Sequence, residues 1–242
     1  MTLLLDEVAL SIAGRDLVRN VSLNLNTGDV IGLLGPNGAG KTTTFNLIVG
    51  LMKPDSGSIL FDGKSVVGLS MTSRARMGIG YLPQEASIFR KLSVKQNLDM
   101  ALAQSELSPS LRRIRREELV DEFNLGPFLY RQGYQLSGGE RRRSEVARAL
   151  AVGRIGPRYL LLDEPFAGID PLAVIDLQAL IQKLKNKGVG ILITDHNVRE
   201  TLAITDRSYI LSEGKILSSG TSAELANDPI VRKHYLGDDF RL

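Results

Sequence analysis

The sequence contains no cysteine, which excludes disulfide bonds and metal sites built from thiolates. It has only two histidines, His196 and His234, so we expect no structural zinc site. No apolar run approaches the ~20 residues of a membrane-spanning helix, which argues against a channel formed by this chain. The N-terminus lacks the basic region and cleavage site of a signal peptide. A net charge of +3 favours neither nucleic acid nor anionic lipid as a partner.

What is present is the composition of an ordinary globular protein, with 43% hydrophobic and 24% charged residues. Residues 159–162 form an unbroken apolar run, typical of a strand buried on both faces of a parallel sheet. A helix from Pro171 and a further strand at 189–193 complete a βαβ unit. From about 93 to 152 the periodicity is helical. The sequence therefore predicts an α/β fold with a doubly wound parallel sheet and a helical segment.

One charged run on the second helix of that segment, residues 112–118, admits two interpretations. It could be a surface for lipid headgroups or nucleic acid, or a solvated helix face with Arg–Glu pairs at helical spacing. No aromatic residues interleave it, as a nucleic-acid stacking platform would require. We therefore expect a solvated helix face and no nucleic-acid partner.

A glycine-rich loop lies between the strand at 29–34 and a helix that begins near Thr44. Glycines let successive backbone N–H groups turn inward around an anion, which the helix N-terminus also favours. Lys41 is expected to reach the β- and γ-phosphates of a nucleotide, and the Thr42 hydroxyl to join the shell of a Mg²⁺ ion. The predicted phosphate-binding residues are Gly35, Asn37, Gly38, Ala39, Gly40, Lys41, Thr42 and Thr43.

Two carboxylates, Asp163 and Glu164, follow the buried apolar run at 159–162. A carboxylate at the end of a buried strand beside a phosphate loop suits a second ligand for Mg²⁺, and Asp163 fits that role. Glu164, one residue further on, is predicted to polarise the water that attacks the γ-phosphate.

A second glycine loop, residues 136–140, also leads into a helix but contains no lysine. Its Ser137, Gly138 and Gly139 could bind an anion at the helix N-terminus. A lysine-bearing loop and a lysine-less loop in one chain suggest two half-sites completed by two copies of the protein. Alternatively, Ser137 and Glu140 form an ordinary capping box at the start of a helix.

These motifs, in this order, resemble those of ABC-transporter nucleotide-binding subunits over essentially the whole chain. Residues 136–140 match the family's signature sequence, Gln84 its Q-loop, 167–170 its D-loop and His196 its switch histidine. The resemblance implies a head-to-tail homodimer that holds two ATP molecules between one copy's phosphate loop and the other's signature loop. It also implies a catalytic set and a Mg²⁺ set: Glu164, His196 and Gln84 for hydrolysis; Thr42, Gln84 and Asp163 for the metal.

The same resemblance implies a P-loop NTPase (RecA-like) core with an antiparallel β subdomain and an inserted helical subdomain carrying the signature. We expect one ABC ATPase domain over 1–242. Within it, we expect the core with the β subdomain at 1–86 and 153–220, the helical subdomain at 87–152, and C-terminal helices and tail at 221–242.

Three stretches, 81–93, 194–202 and 235–242, are similar to the ATPase subunits of lipopolysaccharide-export transporters. This finer resemblance implies a peripheral subunit on the cytoplasmic face of the inner membrane. It would power two transmembrane permease subunits docked near Gln84–Phe89, without touching the cargo itself. A branched-chain amino-acid importer ATPase has a similar layout and remains the alternative.

Proteins of other classes fit less well. A soluble ABC ATPase acting on ribosomes would usually carry two such modules. A DNA-repair ATPase of this superfamily would need a long coiled coil, for which too few residues separate Lys41 from Leu136. A kinase would have no use for the signature loop.

Two further positions, Ile12 and Phe89, bear on contacts with the nucleotide base and with the membrane partners. The family usually places an aromatic residue near the end of the first strand to stack on adenine, and here Ile12 takes that position. Ile12 can pack against the base but cannot stack on it, so we expect weaker ATP binding or less base selectivity. Phe89, just past the Q-loop, is either a core residue or an exposed contact for the membrane partners.

Overall fold

Two β-sheets of different construction form the frame of the protein in the computed structural model, which describes residues 1–152, 156–237 and 240. The antiparallel sheet contains β1 (Thr2–Ile12), β2 (Arg15–Asn26), β4 (Ser56–Phe61) and β5 (Lys64–Ser65). The larger sheet contains β3 (Val30–Leu34), β6 (Ile79–Leu82), β7 (Tyr159–Asp163), β8 (Gly190–Thr194), β9 (Arg207–Ser212) and β10 (Lys215–Gly220).

The larger sheet has the strand order β10-β9-β3-β8-β7-β6, and the smaller one β2-β1-β4-β5. In the larger sheet β9, β3, β8, β7 and β6 pair in parallel, and only the edge strand β10 pairs antiparallel to its neighbour. Parallel strands have their carboxyl ends at one edge, where ligands of such sheets bind. The predicted α/β class with a parallel sheet is confirmed.

Helices connect these strands and cover the sheets. They are α1 (Lys41–Val49), α2 (Met71–Met77), α3 (Val94–Ala103), α4 (Pro109–Glu122), α5 (Gly138–Ala149), α6 (Pro171–Asn186), α7 (Val198–Leu202), α8 (Ser222–Asn227) and α9 (Pro229–Val231). A π-helical turn, Arg232–Leu236, follows α9. Among the residues that the structure describes, no helix has both the length and the hydropathy needed to cross a membrane.

The apolar run of β7 is explained by burial on both faces of the sheet. Leu160 and Leu162 pack into the core beneath the helices, and Tyr159 and Leu161 pack into the core shared with the antiparallel sheet. All four are fully buried. Each fully buried leucine contributes roughly 1.5–3 kcal/mol, so this strand has a strong energetic reason to be central.

The helical segment predicted at about 93–152 contains α3, α4 and α5. Ser93 caps α3 in a capping box with Gln96, at the predicted start of the helical segment. On α4, Arg113 pairs with Glu117 and Arg115 with Glu118, so the prediction of a solvated face with Arg–Glu pairs is confirmed. The division into core, helical and C-terminal parts stays a prediction. Residues 238–239 and 241–242 of the predicted tail lie outside the described residues.

The structure differs from the sequence predictions at several elements. Strand β2 begins at Arg15, although apolar and polar residues alternate only from Val21, because its first half is largely exposed. Helix α1 begins at Lys41, before the predicted Thr44, and ends at Val49, because Gly50 adopts a left-handed conformation with φ of 85°. Helices α2 and α7 were not predicted. Helix α2 is held by the buried Arg74, which donates to two carbonyl oxygens near the end of α1.

Candidate functional site

The glycine-rich loop connects β3 to α1 at the carboxyl edge of the parallel sheet. Gly35 has φ of 150°, and a Cβ there would lie 2.0 Å from the carbonyl oxygen of Leu211. Gly40 has φ of 105°, and a Cβ there would lie 2.5 Å from the carbonyl oxygen of Leu17. Both positions therefore require glycine on grounds of backbone conformation and space. The loop is pressed against β9 on one side and β2 on the other.

Lys41 is the first residue of α1 and is almost completely buried. Its Nζ donates to the carbonyl oxygens of Gly35, at 2.7 Å, and Pro36, at 3.0 Å. Burial lowers the pKa of Lys41, while the charges of Glu164 and Asp163 oppose that shift. The Lys41 ammonium is held by two neutral carbonyl oxygens. It can exchange them for the oxygens of an anion, because hydrogen bonds between two charged groups are the stronger ones.

Asp163 ends β7 beneath the loop and is fully buried. Neither of its carboxylate oxygens has a hydrogen-bond partner among the described residues. Burial, and then the charge of Glu164, raises the pKa of Asp163 to about 6, and the nearby Thr42 hydroxyl and Lys41 ammonium oppose that rise. An orphaned buried carboxylate beside a threonine hydroxyl fits a hard cation that supplies the missing charge.

Glu164 follows β7 in a left-handed conformation, with φ of 50°. Its Oε1 lies 2.7 Å from Nε2 of His196, and its Oε2 accepts a hydrogen bond of 2.9 Å from Nε2 of Gln84. The three predicted catalytic side chains are thus in direct contact. A non-glycine residue at positive φ is strained, and such strain persists where the surroundings fix a functional geometry.

A cavity of about 480 Å³ opens above these residues. Of the predicted site residues, its walls contain Asn37, Gly38, Ala39, Gly40, Lys41, Thr42, Thr43, Gln84, Glu164 and His196. Gly35 contributes through the carbonyl that Lys41 contacts, and Asp163 lies buried below the loop. The structure therefore brings most of the predicted site residues together, and their roles stay predictions.

The lysine-less loop is elsewhere. Ser137 caps α5 in a capping box with Glu140, which confirms that interpretation of the pattern, and Gly138 and Gly139 form the first turn. A Cβ on Gly139 would lie 2.7 Å from the Cβ of Ala173, so the loop packs closely on α6. Among the described residues, the cavity wall contains none of Ser137, Gly138 and Gly139.

Two buried charged residues that support the site were missed from the sequence. Arg142 on α5 donates to four backbone carbonyls, at Pro83 and at residues 163–165. Asp195, after β8, accepts from the backbone N–H groups of Phe166 and Asn197 on either side of the carboxyl edge. Asp195 follows a buried apolar strand just as Asp163 does, so the same argument could have found it. Nothing in the run Arg141–Arg143 marks the middle arginine as the buried one.

Arg15 and Leu17, at the start of β2, also form part of the cavity wall. Ile12, predicted to contact the base, is 46% exposed and is not among the wall residues. It lies beside them, however, because Ile12 pairs directly with Arg15 across the β1–β2 hairpin. The role of Ile12 in base binding stays a prediction.

A second cavity, of about 340 Å³, is lined by residues of α1, α2, α3 and α5. Its walls are mostly apolar and include Phe89, which is 49% exposed and therefore not a core residue. The guanidinium of Arg148 lies 5.3 Å from the centre of the Phe89 ring. We refer to this cavity as the α3–α5 groove.

A family model described as "ABC transporter" matches residues 18–167. Two similar proteins carry the description "Lipopolysaccharide export system ATP-binding protein LptB". The one from Acidithiobacillus ferridurans is 54% identical over 94% of this chain and 93% of its own length. The one from Escherichia coli strain K12 is 52% identical over 100% of this chain and 99% of its own length.

Solved structures of the same fold are more distant in sequence. A nucleotide-free ATP-binding cassette from an ABC transporter has a TM-score of 0.87 at 26% identity, over 98% of this chain and 100% of that one. A dimeric post-hydrolysis ATP-binding cassette bound to ADP and Pi has a TM-score of 0.80 at 26% identity, over 92% of this chain and 99% of that one.

Proposed function

Because the chain belongs to the ABC transporter family of ATP-hydrolysing proteins, we propose that it powers lipopolysaccharide export through separate membrane subunits. The observation that carries this proposal is the full-length similarity, at 51–54% identity, to proteins described as lipopolysaccharide export ATP-binding proteins. The chain works at the cytoplasmic face of the membrane that contains those subunits, and the lipid itself never contacts it.

In the proposed mechanism Lys41 exchanges its two carbonyl partners for oxygens of the β- and γ-phosphates. Glu164 then accepts a proton from the water that attacks the γ-phosphate, and the bond from the γ-phosphorus to the bridging oxygen breaks to release ADP. In the structure both oxygens of Glu164 are engaged, one by His196 and one by Gln84. One of these contacts must open to admit the water, and His196, on the exposed side, is suited to contact the γ-phosphate instead.

The residues present fit a Mg²⁺ ion. Asp163 supplies an orphaned carboxylate, Thr42 a hydroxyl and Gln84 an amide oxygen, all oxygen ligands of the kind that Mg²⁺ prefers. No group of three or more acidic or histidine ligands is found in the described part of the chain, as expected where phosphate oxygens and water complete the shell. When bound, Mg²⁺ would neutralise charge on the phosphates.

We further propose that two copies of the chain assemble head to tail around two ATP molecules. The separation of Ser137, Gly138 and Gly139 from the cavity wall supports this, because within the described part of one chain none of them lines the cavity at the glycine-rich loop. In the dimer they would contact the γ-phosphate held by the partner. ATP binding closes the dimer and hydrolysis reopens it.

Two transmembrane subunits are proposed to dock at the α3–α5 groove, next to the segment Gln84–Phe89. That segment contacts both the helix α5 and the proposed catalytic residue Glu164. The backbone N–H groups of Ser87 and Ile88 donate to the buried Glu145 of α5, and Gln84 donates to the catalytic Glu164. Movement of a docked segment would therefore reach the base through a short, hydrogen-bonded stretch of chain.

Phe89→Ala is expected to lower recovery of the membrane complex severalfold and to leave basal hydrolysis of the isolated chain intact. The ring is half exposed at the groove, so its loss removes a docking contact without opening a core cavity. Co-purification and ATPase assays measure both effects. Leu111→Ala, which truncates a similarly exposed residue on α4, is the control. A Phe89→Ala protein that assembles normally would contradict the docking role.

The transport proposal itself is tested by purifying the native complex and identifying its partner chains and bound lipid. We expect two transmembrane permease subunits and lipopolysaccharide. Recovery of branched-chain amino-acid permeases, with no lipopolysaccharide, would instead support the importer alternative.

A further inference from the structure

The tip of the β1–β2 hairpin lies next to the cavity, because Arg15, the first residue of β2, forms part of the cavity wall. Ala13 and Gly14 have φ of 50° and 78°, as in the two-residue turns that close tight hairpins. Ile12 and Arg15 are direct partners across this turn, so their side chains stand on the same face of the sheet. The Cβ atoms of such a pair are typically about 5 Å apart. Ile12 and Arg15 thus form one continuous platform.

The start of β2 packs closely against the glycine-rich loop. The carbonyl of Leu17 approaches Gly40 so closely that a Cβ there would lie 2.5 Å away. The N–H of Arg19 donates to the carbonyl of Gly214, at 2.7 Å, and the N–H of Gly214 donates to the carbonyl of Ala39, at 3.0 Å. Arg15 and Leu17 are two residues apart on the strand and therefore share a face, and both line the cavity.

The Arg15 guanidinium has no interaction partner among the residues that the structure describes. Within the described ranges it forms no hydrogen bond, ion pair or ring contact, whereas Arg19 on the same strand pairs with Asp16. A planar, permanently charged guanidinium stacks readily on a π-face, and purine bases offer such a face. Ile12 beside it offers apolar area but no plane.

We propose that Arg15 stacks on the purine base of the bound nucleotide and so takes the role of the aromatic residue that Ile12 does not provide. This inference rests on the proposed binding of a nucleotide at the phosphate loop. Arg15 is then a specificity-determining residue. Because every purine presents the same kind of face, the platform grips adenine and guanine with similar strength.

The test compares ADP, GDP and pyrophosphate binding to the full chain by calorimetry in Mg²⁺. Arg15→Ala and Arg15→Lys are both expected to weaken ADP and GDP binding on the order of 5- to 30-fold, with pyrophosphate binding unchanged. Ile12→Tyr, which restores an aromatic plane, should tighten ADP binding and should rescue Arg15→Ala. Arg113→Ala removes another exposed guanidinium, on α4, and should change nothing.

Three results would overturn the inference. Unchanged ADP affinity in Arg15→Ala would show that the base does not contact Arg15. An equal loss of pyrophosphate affinity would make Arg15 a phosphate ligand. Wild-type affinity in Arg15→Lys would show that charge, not the plane, is what matters. None of these results depends on the transported lipid, so each would leave the export proposal standing.

Discussion

Glu164→Gln is expected to lower the rate of ATP hydrolysis by about 10²- to 10⁴-fold, the range that general-base catalysis contributes. The variant should still bind ATP, because Lys41 and the glycine loop are unchanged. With hydrolysis blocked, the closed state persists, and the protein should accumulate as an ATP-bound dimer. Size-exclusion chromatography with and without ATP, together with single-turnover hydrolysis, measures both effects.

The geometry explains why this substitution isolates the proton transfer. An amide at position 164 can keep an oxygen toward His196 or toward Gln84, whose contacts of 2.7 and 2.9 Å hold the side chain in place. It cannot accept a proton from water. Glutamate and glutamine at position 164 experience the same backbone strain at φ of 50°, so the free energy of unfolding should change little.

Glu213→Gln is the matched control for Glu164→Gln. Glu213 also has a left-handed backbone, with φ of 48°, but it is exposed in the turn between β9 and β10. We expect normal turnover in this variant and no nucleotide-dependent dimer that outlasts hydrolysis. If Glu164→Gln itself turned over ATP at the wild-type rate, Glu164 would not be the base, and its contacts with His196 and Gln84 would be structural.

The parts of the site that the sequence predicted are those dictated by local chemistry. Gly35 and Gly40 must be glycine because of their positive φ angles and the carbonyl oxygens beside them. Their spacing is therefore recognisable in the sequence as a glycine-rich motif. Strand β7 is buried on both faces, so its apolar run and the carboxylate that ends it are visible without a structure. When consecutive residues are all buried, the sequence shows an unbroken apolar run that predicts a central strand.

The residues that were missed depend on tertiary placement. Arg142 is one of three consecutive arginines, and only the packing of α5 on the carboxyl ends of the strands decides which one donates to the carbonyls there. Helix α2 depends on Arg74, which reaches from it to the end of α1. Arg15 became a candidate only when the hairpin register placed it beside Ile12.

Asp163→Asn is expected to stabilise the protein at pH 7 when neither Mg²⁺ nor nucleotide is present. Burial and the charge of Glu164 raise the pKa of Asp163 to about 6, from an ordinary value of 3.8. The folded state therefore prefers the protonated acid, and ionisation destabilises it progressively as the pH rises from about 4 to 6. A difference of about two pKa units corresponds to about 3 kcal/mol at neutral pH.

The sign of this effect can be followed by urea unfolding between pH 3.5 and pH 7.5. Asparagine and wild type should have similar free energies of unfolding at the acidic end, where the aspartate is protonated in both states. The variant should become the more stable protein as the pH rises from about 4, and the difference should be complete above pH 6. Asp176→Asn, on the exposed side of α6, is the control and should show no such gap.

Mg²⁺ and ATP should make wild type more stable than Asp163→Asn, because the ion gives the buried carboxylate a partner of opposite charge. Ligand binding to the native state raises the free energy of unfolding by mass action, and this gain should be large for wild type and small for Asp163→Asn. The variant should also lose most of its hydrolysis. If asparagine were the less stable protein at pH 7 without ligand, Asp163 would have a structural partner, and the same orphaned oxygens could not be assigned to a metal.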